Sequence, residues 1–87
     1  MDKKNYSAPA LDKGLDILEL LAVSSIGLTQ AEIAEHLNKS VNEIYRMLNT
    51  LKVRNYLEFD SSTDSYKLSY KLLNLSASFN PTKTLLQ

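Results

Sequence analysis

Three side chains able to read a nucleic-acid base edge recur at helical spacing in mid-chain: Asn42, Arg46 and Asn49. An asparagine amide can pair bidentately with adenine and an arginine guanidinium with guanine, each pair discriminating by about 1–3 kcal/mol. At about 100° per residue, with Ile44 as zero, the three fall between about 140° and 200°. Met47, Leu51 and Leu48 fall between about −60° and 40°, on the opposite side. Tyr45, at about 100°, occupies the shoulder, where it can reach a phosphate or stack against a sugar. A solvated helix face has the same periodicity, so the elements around it must decide what this one is for.

Other groups suited to a polyanion lie nearby. Lys39 precedes this segment, Lys52 is near its end, and Lys67 follows in a later segment. Thr29 and Ser40 stand where helical patterns begin, and there a hydroxyl with free amides caps the chain and can also meet a phosphate. Thr29, Lys39, Ser40, Asn42, Tyr45, Arg46, Asn49, Lys52 and Lys67 are therefore the candidate DNA contacts. Glu43 is different. It suits neighbouring phosphates poorly, and its place three residues after Ser40 fits a capping box.

Competing chemistries have little to work with. There is no cysteine and a single histidine, which excludes disulfides, thiolate metal sites and histidine clusters. His36 borders an apolar stripe, and no motif places a serine nucleophile or paired carboxylates around it. Gly14 and Gly27 are the only glycines, too few for a phosphate-cradling loop. No catalytic residue, cofactor or metal is expected, and the chain does not read as an enzyme.

Ten basic residues balance ten acidic ones, so no global field draws the molecule toward DNA or a membrane. The distribution is uneven. Residues 1–37 hold Lys3, Lys4 and Lys13 against Asp2, Asp12, Asp16, Glu19, Glu32 and Glu35, whereas Lys39, Arg46, Lys52 and Arg54 face only Glu43 between positions 39 and 54. The basic segment coincides with the Asn/Arg face.

The elements that position this face follow from the pattern. Leu11, Leu15, Leu18, Leu21 and Ala22 keep a helical period, with Pro9 suited to a first turn. Thr29 with Glu32 and Ser40 with Glu43 form two capping boxes, opening a short helix through Ile33, Ala34 and Leu37 and another at about 40–54. Asn38, Lys39 and Ser40 make the turn between them, giving a helix-turn-helix. Asn55 suits the left-handed end of the second of these helices. Leu57 and Phe59, then Tyr66, Leu68 and Tyr70, alternate with polar residues as a hairpin whose tip, residues 60–65, is polar and flexible. Leu72, Leu73, Leu75 and Phe79 restore a helical period before Asn80 and Pro81.

At 87 residues and 44% hydrophobic content this is one small domain. The fold class is mainly α with a small β-hairpin: a winged helix-turn-helix with a three-helix core, a wing and a C-terminal linker helix. The expected boundaries are a flexible arm at 1–7, the DNA-binding domain at 8–70, and at 71–87 a linker helix leading toward a missing domain. The terminal Leu85 and Leu86 suggest that the native protein continues. Residues 17–23, the richest apolar stretch, include Glu19 and are too short to span a bilayer, so a cytoplasmic location is expected.

Several stretches resemble one family. Ala10-Leu11-Asp12-Lys13-Gly14-Leu15-Asp16-Ile17-Leu18-Glu19-Leu20-Leu21 looks like the first-helix signature of the amino-terminal DNA-binding domain of IclR-type (isocitrate lyase regulator type) transcriptional regulators. Leu28-Thr29 through Ile33-Ala34-Glu35 resembles that family's second helix. Ile44-Tyr45-Arg46-Met47-Leu48-Asn49-Thr50-Leu51 is similar to its recognition helix, commonly Val-His-Arg-Leu-Leu-x-Thr-Leu, without a gap. Tyr56 and Leu57 resemble the first wing strand, Tyr66-Lys67-Leu68 the second, and Leu72-Leu73-x-Leu75 the start of the linker helix.

The resemblance, over about residues 8–75, implies double-stranded DNA as partner, a homodimer, and a small-molecule effector acting only through a domain absent from this chain. Asn42 and Glu43 replace the family's usual Ser-Thr, so the operator is not inferable by homology. Asn55 and Ser69 stand where glycine is common; Asn55 can adopt the same backbone, and the sequence gives no reason for Ser69. The competing reading is a winged-helix protein-interaction module without DNA readout, which the zero net charge favours.

Overall fold

The computed structural model describes residues 8–79. The expected arm at 1–7, the Leu85–Leu86 pair and the rest of the connection from 80 onward lie outside the described residues. The order is α1 (Pro9–Val23), β1 (Leu28–Thr29), α2 (Gln30–Leu37), α3 (Val41–Val53), β2 (Leu57–Asp60), β3 (Ser65–Leu68) and α4 (Lys71–Phe79). A winged helix-turn-helix results, as its periodicities indicate.

Both capping boxes form. Thr29 Oγ1 accepts from the Glu32 amide at 3.2 Å while Glu32 Oε1 accepts from the Thr29 amide at 2.8 Å. Ser40 Oγ accepts from the Glu43 amide at 3.1 Å, and Glu43 Oε1 from the Ser40 amide at 2.8 Å. Each box satisfies two amides that a bare helix start would leave without partners. The turn between α2 and α3 closes through Asn38, left-handed at φ 56°, with the Lys39 amide donating to Ala34 O at 2.9 Å. Asn55 repeats the device after α3 at φ 71°, and the Tyr56 amide reaches back to Leu51 O at 2.8 Å. The chain is thereby aimed into β2.

The hairpin is part of a larger sheet than its alternation suggested. β1 pairs antiparallel with β3, giving a three-stranded sheet of order β1-β3-β2. Two residues are too few to show a period, so Leu28 and Thr29 read in sequence only as the approach to a helix. Gly27 permits the pairing: a Cβ there would lie 2.7 Å from Ser65 Oγ and 3.2 Å from Tyr66 O. At the tip, Asp60 Oδ1 accepts from the Ser62 amide at 2.9 Å and hydroxyl at 2.6 Å, and Asp64 turns at φ 53°.

The core joins Ile17 and Leu21 of α1, Leu28 of β1, Ile33 and Ala34 of α2, Ile44 and Leu48 of α3, and Leu57 of β2. The leucine stripe read in the first helix faces it only in part. Leu21 is buried and Leu18 packs against the core, whereas Leu11, Leu15 and Ala22 are exposed, and Ile17, outside that stripe, is fully buried. Helix α1 is apolar on more than one side, and a period alone cannot choose between adjacent stripes. α4 contributes no buried residue.

Candidate nucleic-acid interface

Helix α3 presents two faces of opposite character. Ile44 and Leu48 are buried, with Met47 and Leu51 packed against the same core. Asn42, Arg46 and Asn49 are all exposed, and no hydrogen bond or ion pair engages their side chains among the described residues. Val53, at about 180° on the same outer face, is 68% exposed. It was missed because the reading sought polar groups, although the same angular arithmetic places it there. An apolar side chain at that position can meet a thymine methyl.

The first turn of α3 is anchored from several sides. Lys13 Nζ approaches Glu43 Oε2 at 3.8 Å, joining α1 to the start of α3. The Ser40 amide bond holds the Glu43 carboxyl below its ordinary value, aided against desolvation by the Ser40 hydroxyl, Lys13 and Lys39. Glu43 is thus a cap within a basic neighbourhood. Gln30 Nε2 donates to Val41 O at 3.4 Å, which brings the starts of α2 and α3 together. Thr29 and Ser40, remote as sequence positions, belong to these two adjoining starts. Gln30 was not anticipated, since a single side chain bridging eleven positions leaves no periodic trace.

The remaining candidates divide. Lys39 is exposed in the turn, and Tyr45, 54% exposed, lies on the shoulder of α3. Burial, then the charges of Tyr45 and Asp64, raises the Tyr66 phenol above its usual value. Lys67 lies on the outer face of the wing, 4.0 Å from Glu58. Lys52 turns toward the wing instead, its ammonium 5.0 Å from the Phe59 ring centroid. His36 is exposed in the last turn of α2.

Ser69 acquires a reason. Its hydroxyl donates to Asn55 O at 2.5 Å and accepts from the Lys71 amide at 3.1 Å, while its own amide donates to Tyr56 O at 3.0 Å. Lys71 Nζ adds a bond to Arg54 O at 3.0 Å. The start of α4 is therefore tied to the carbonyls where α3 ends.

Residues 10–61 match the model of the IclR helix-turn-helix domain. The chain belongs to this family. Over 57 residues, 66% of its length, the IclR domain is 49% identical to the HTH-type transcriptional regulator BhcR of Paracoccus denitrificans, and spans 20% of that protein. Among solved structures it is similar to the IclR transcriptional regulator of Alicyclobacillus acidocaldarius, with TM-score 0.78 and 29% identity over 83% of this chain and 29% of that one. It is also similar to the IclR family transcriptional regulator of Brucella abortus, with TM-score 0.75 and 25% identity over 91% of this chain and 29% of that one. The family is one of transcriptional regulators and not of enzymes. Among the described residues, no helix is long and apolar enough to cross a membrane.

Proposed function

We propose that this IclR domain binds double-stranded DNA sequence-specifically to regulate transcription, with α3 in the major groove and the β2–β3 wing against the backbone or adjacent minor groove. The carrying observation is the exposed Asn42, Arg46 and Asn49 face directly opposite buried Ile44 and Leu48. Arg46 and the two asparagines take base edges; Thr29, Lys39, Ser40 and Tyr45 take phosphates or sugars beside them, and Lys67 reaches the backbone from the wing. Such work belongs in the cytoplasm of a bacterial-type cell.

Two copies acting about one DNA turn apart would read a pseudo-palindrome. The exposed Leu11 and Leu15 of α1 and Leu75 and Phe79 of α4 support a homodimer. A small-molecule effector would act through a further domain beyond this chain and reach α3 by way of α4.

The test is selection of duplexes from a random pool by the 87-residue chain, followed by affinity measurements across salt concentration. The expected result is an enriched sequence whose log affinity falls with log salt by about 0.9 per neutralised phosphate. No enrichment and a salt-independent association would favour the protein-interaction reading.

A further inference from the structure

Lys52 and Phe59, seven positions apart and on different elements, are brought together by the fold. Leu57 and Phe59 share one face of β2, and across the ladder Leu57 meets Leu68 while Phe59 meets Tyr66. Leu57 is buried in the core, and Phe59, one step further out, is 37% exposed. Its ring packs on Tyr66, centroids 4.9 Å apart and planes tilted by 54°. Tyr66 in turn packs against the core. The opposite face of the wing carries the Glu58 and Lys67 pair. Lys52, arriving from the last turns of α3, covers the ring with its ammonium 5.0 Å from the centroid. A cation over the negative face of an aromatic ring is attracted by its quadrupole. This contact joins the groove-reading helix directly to the outer part of the wing.

We infer that Lys52 is a positioning residue that fixes the angle of the wing to α3 through the Phe59–Tyr66 pair, and is not one of the groups that neutralise phosphate. The inference rests on the proposed DNA-binding reading for its purpose, but the contact itself can be tested without DNA. A helix in the major groove and a wing on the backbone must engage one duplex together, so their relative angle limits which duplex geometries satisfy both. Lys52 serves binding by holding that angle.

The test compares Lys52→Gln, Phe59→Leu, their double variant and Lys52→Arg with the parent chain, first by amide exchange without DNA. Lys52→Gln and Phe59→Leu should each speed exchange of the wing amides 58–66 by about two- to five-fold, as loss of an exposed cation–π contact implies. The double variant should be no faster than the faster single one, and Lys52→Arg, which keeps a cation over the ring, should match the parent. Unchanged exchange at the core amides of α2 and α3 verifies that each variant is folded. Wing exchange in Lys52→Gln equal to the parent overturns the proposal.

The second measurement uses a random-sequence duplex. Lys52→Gln and Phe59→Leu should lower affinity by similar factors, although only one removes a charge. Parent-like affinity for Phe59→Leu, together with a loss of about 0.9 from the salt slope in Lys52→Gln, overturns the proposal in favour of a phosphate contact. If the parent chain binds no DNA, the functional reading fails while the exchange comparison still decides the contact.

Discussion

Arg46 and Lys39 are both exposed cations near the start of α3, but their surroundings predict different losses. Arg46 lies on the outer face with Asn42 and Asn49, where its planar fork suits guanine; Lys39 lies in the turn, where a point charge suits phosphate. Arg46→Ala should cost about 1–3 kcal/mol on the selected operator and much less on random DNA. Lys39→Ala should weaken both to a similar degree. Parallel titrations of the two duplexes check this, and equal losses for Arg46→Ala would remove base readout from that residue. A second prediction concerns Glu43. Its folded carboxyl titrates below the ordinary value, chiefly because it accepts from the Ser40 amide. The stabilisation is therefore complete above the ordinary carboxylate range and is lost as pH falls through the lowered value. Ser40→Ala should remove about 1 kcal/mol of stability at neutral pH by breaking the cap. It should also flatten the part of the acid transition that Glu43 contributes, measured as urea midpoints between roughly pH 3 and pH 7.

The helices of the reading motif were legible because local chemistry defines them. Thr29 with Glu32 and Ser40 with Glu43 are reciprocal caps within four residues, and Asn55 terminates α3 through its own backbone preference. What escaped was set by contacts remote in sequence. β1 exists because Leu28 and Thr29 lie beside Tyr66 and Ser65, and the choice of Ile17 over Leu15 as the inward residue depends on where α3 and the sheet lie. Ser69 shows the same limit: its partner Asn55 O is fourteen positions away. Lys52 was assigned by charge alone, and only the fold revealed a ring beneath it. The close approach of β1 to β3 yields a further prediction. Gly27→Ala must displace the Ser65 side chain and press on Tyr66 O, so it should destabilise the domain by about 1–3 kcal/mol. Amide exchange should rise first along β1 and β3. Parent-like stability would mean that the sheet yields without cost.

The whole molecule is neutral in formal charge, so its orientation on DNA cannot come from a net field and must come from where the charges lie. Lys39, Arg46 and Arg54 belong to the turn and helix that the core presses outward, while the carboxylates of residues 1–37 belong mostly to α1 and α2. A small basic surface on a neutral body favours modest affinity from one domain, and in the proposed homodimer specificity would be gained by engaging two neighbouring half-sites. The ties from Ser69 and Lys71 to the end of α3 give α4 a firm hold on the reading helix, as a connector to a further domain would need. The most direct test of the central claim is a map of backbone amide shifts by nuclear magnetic resonance as a selected duplex is titrated into the 87-residue chain. The account predicts the largest changes at Asn42, Arg46 and Asn49, with smaller ones at the helix starts near Thr29 and Ser40. Changes confined to α1 and α4, with the outer face of α3 undisturbed, would contradict it.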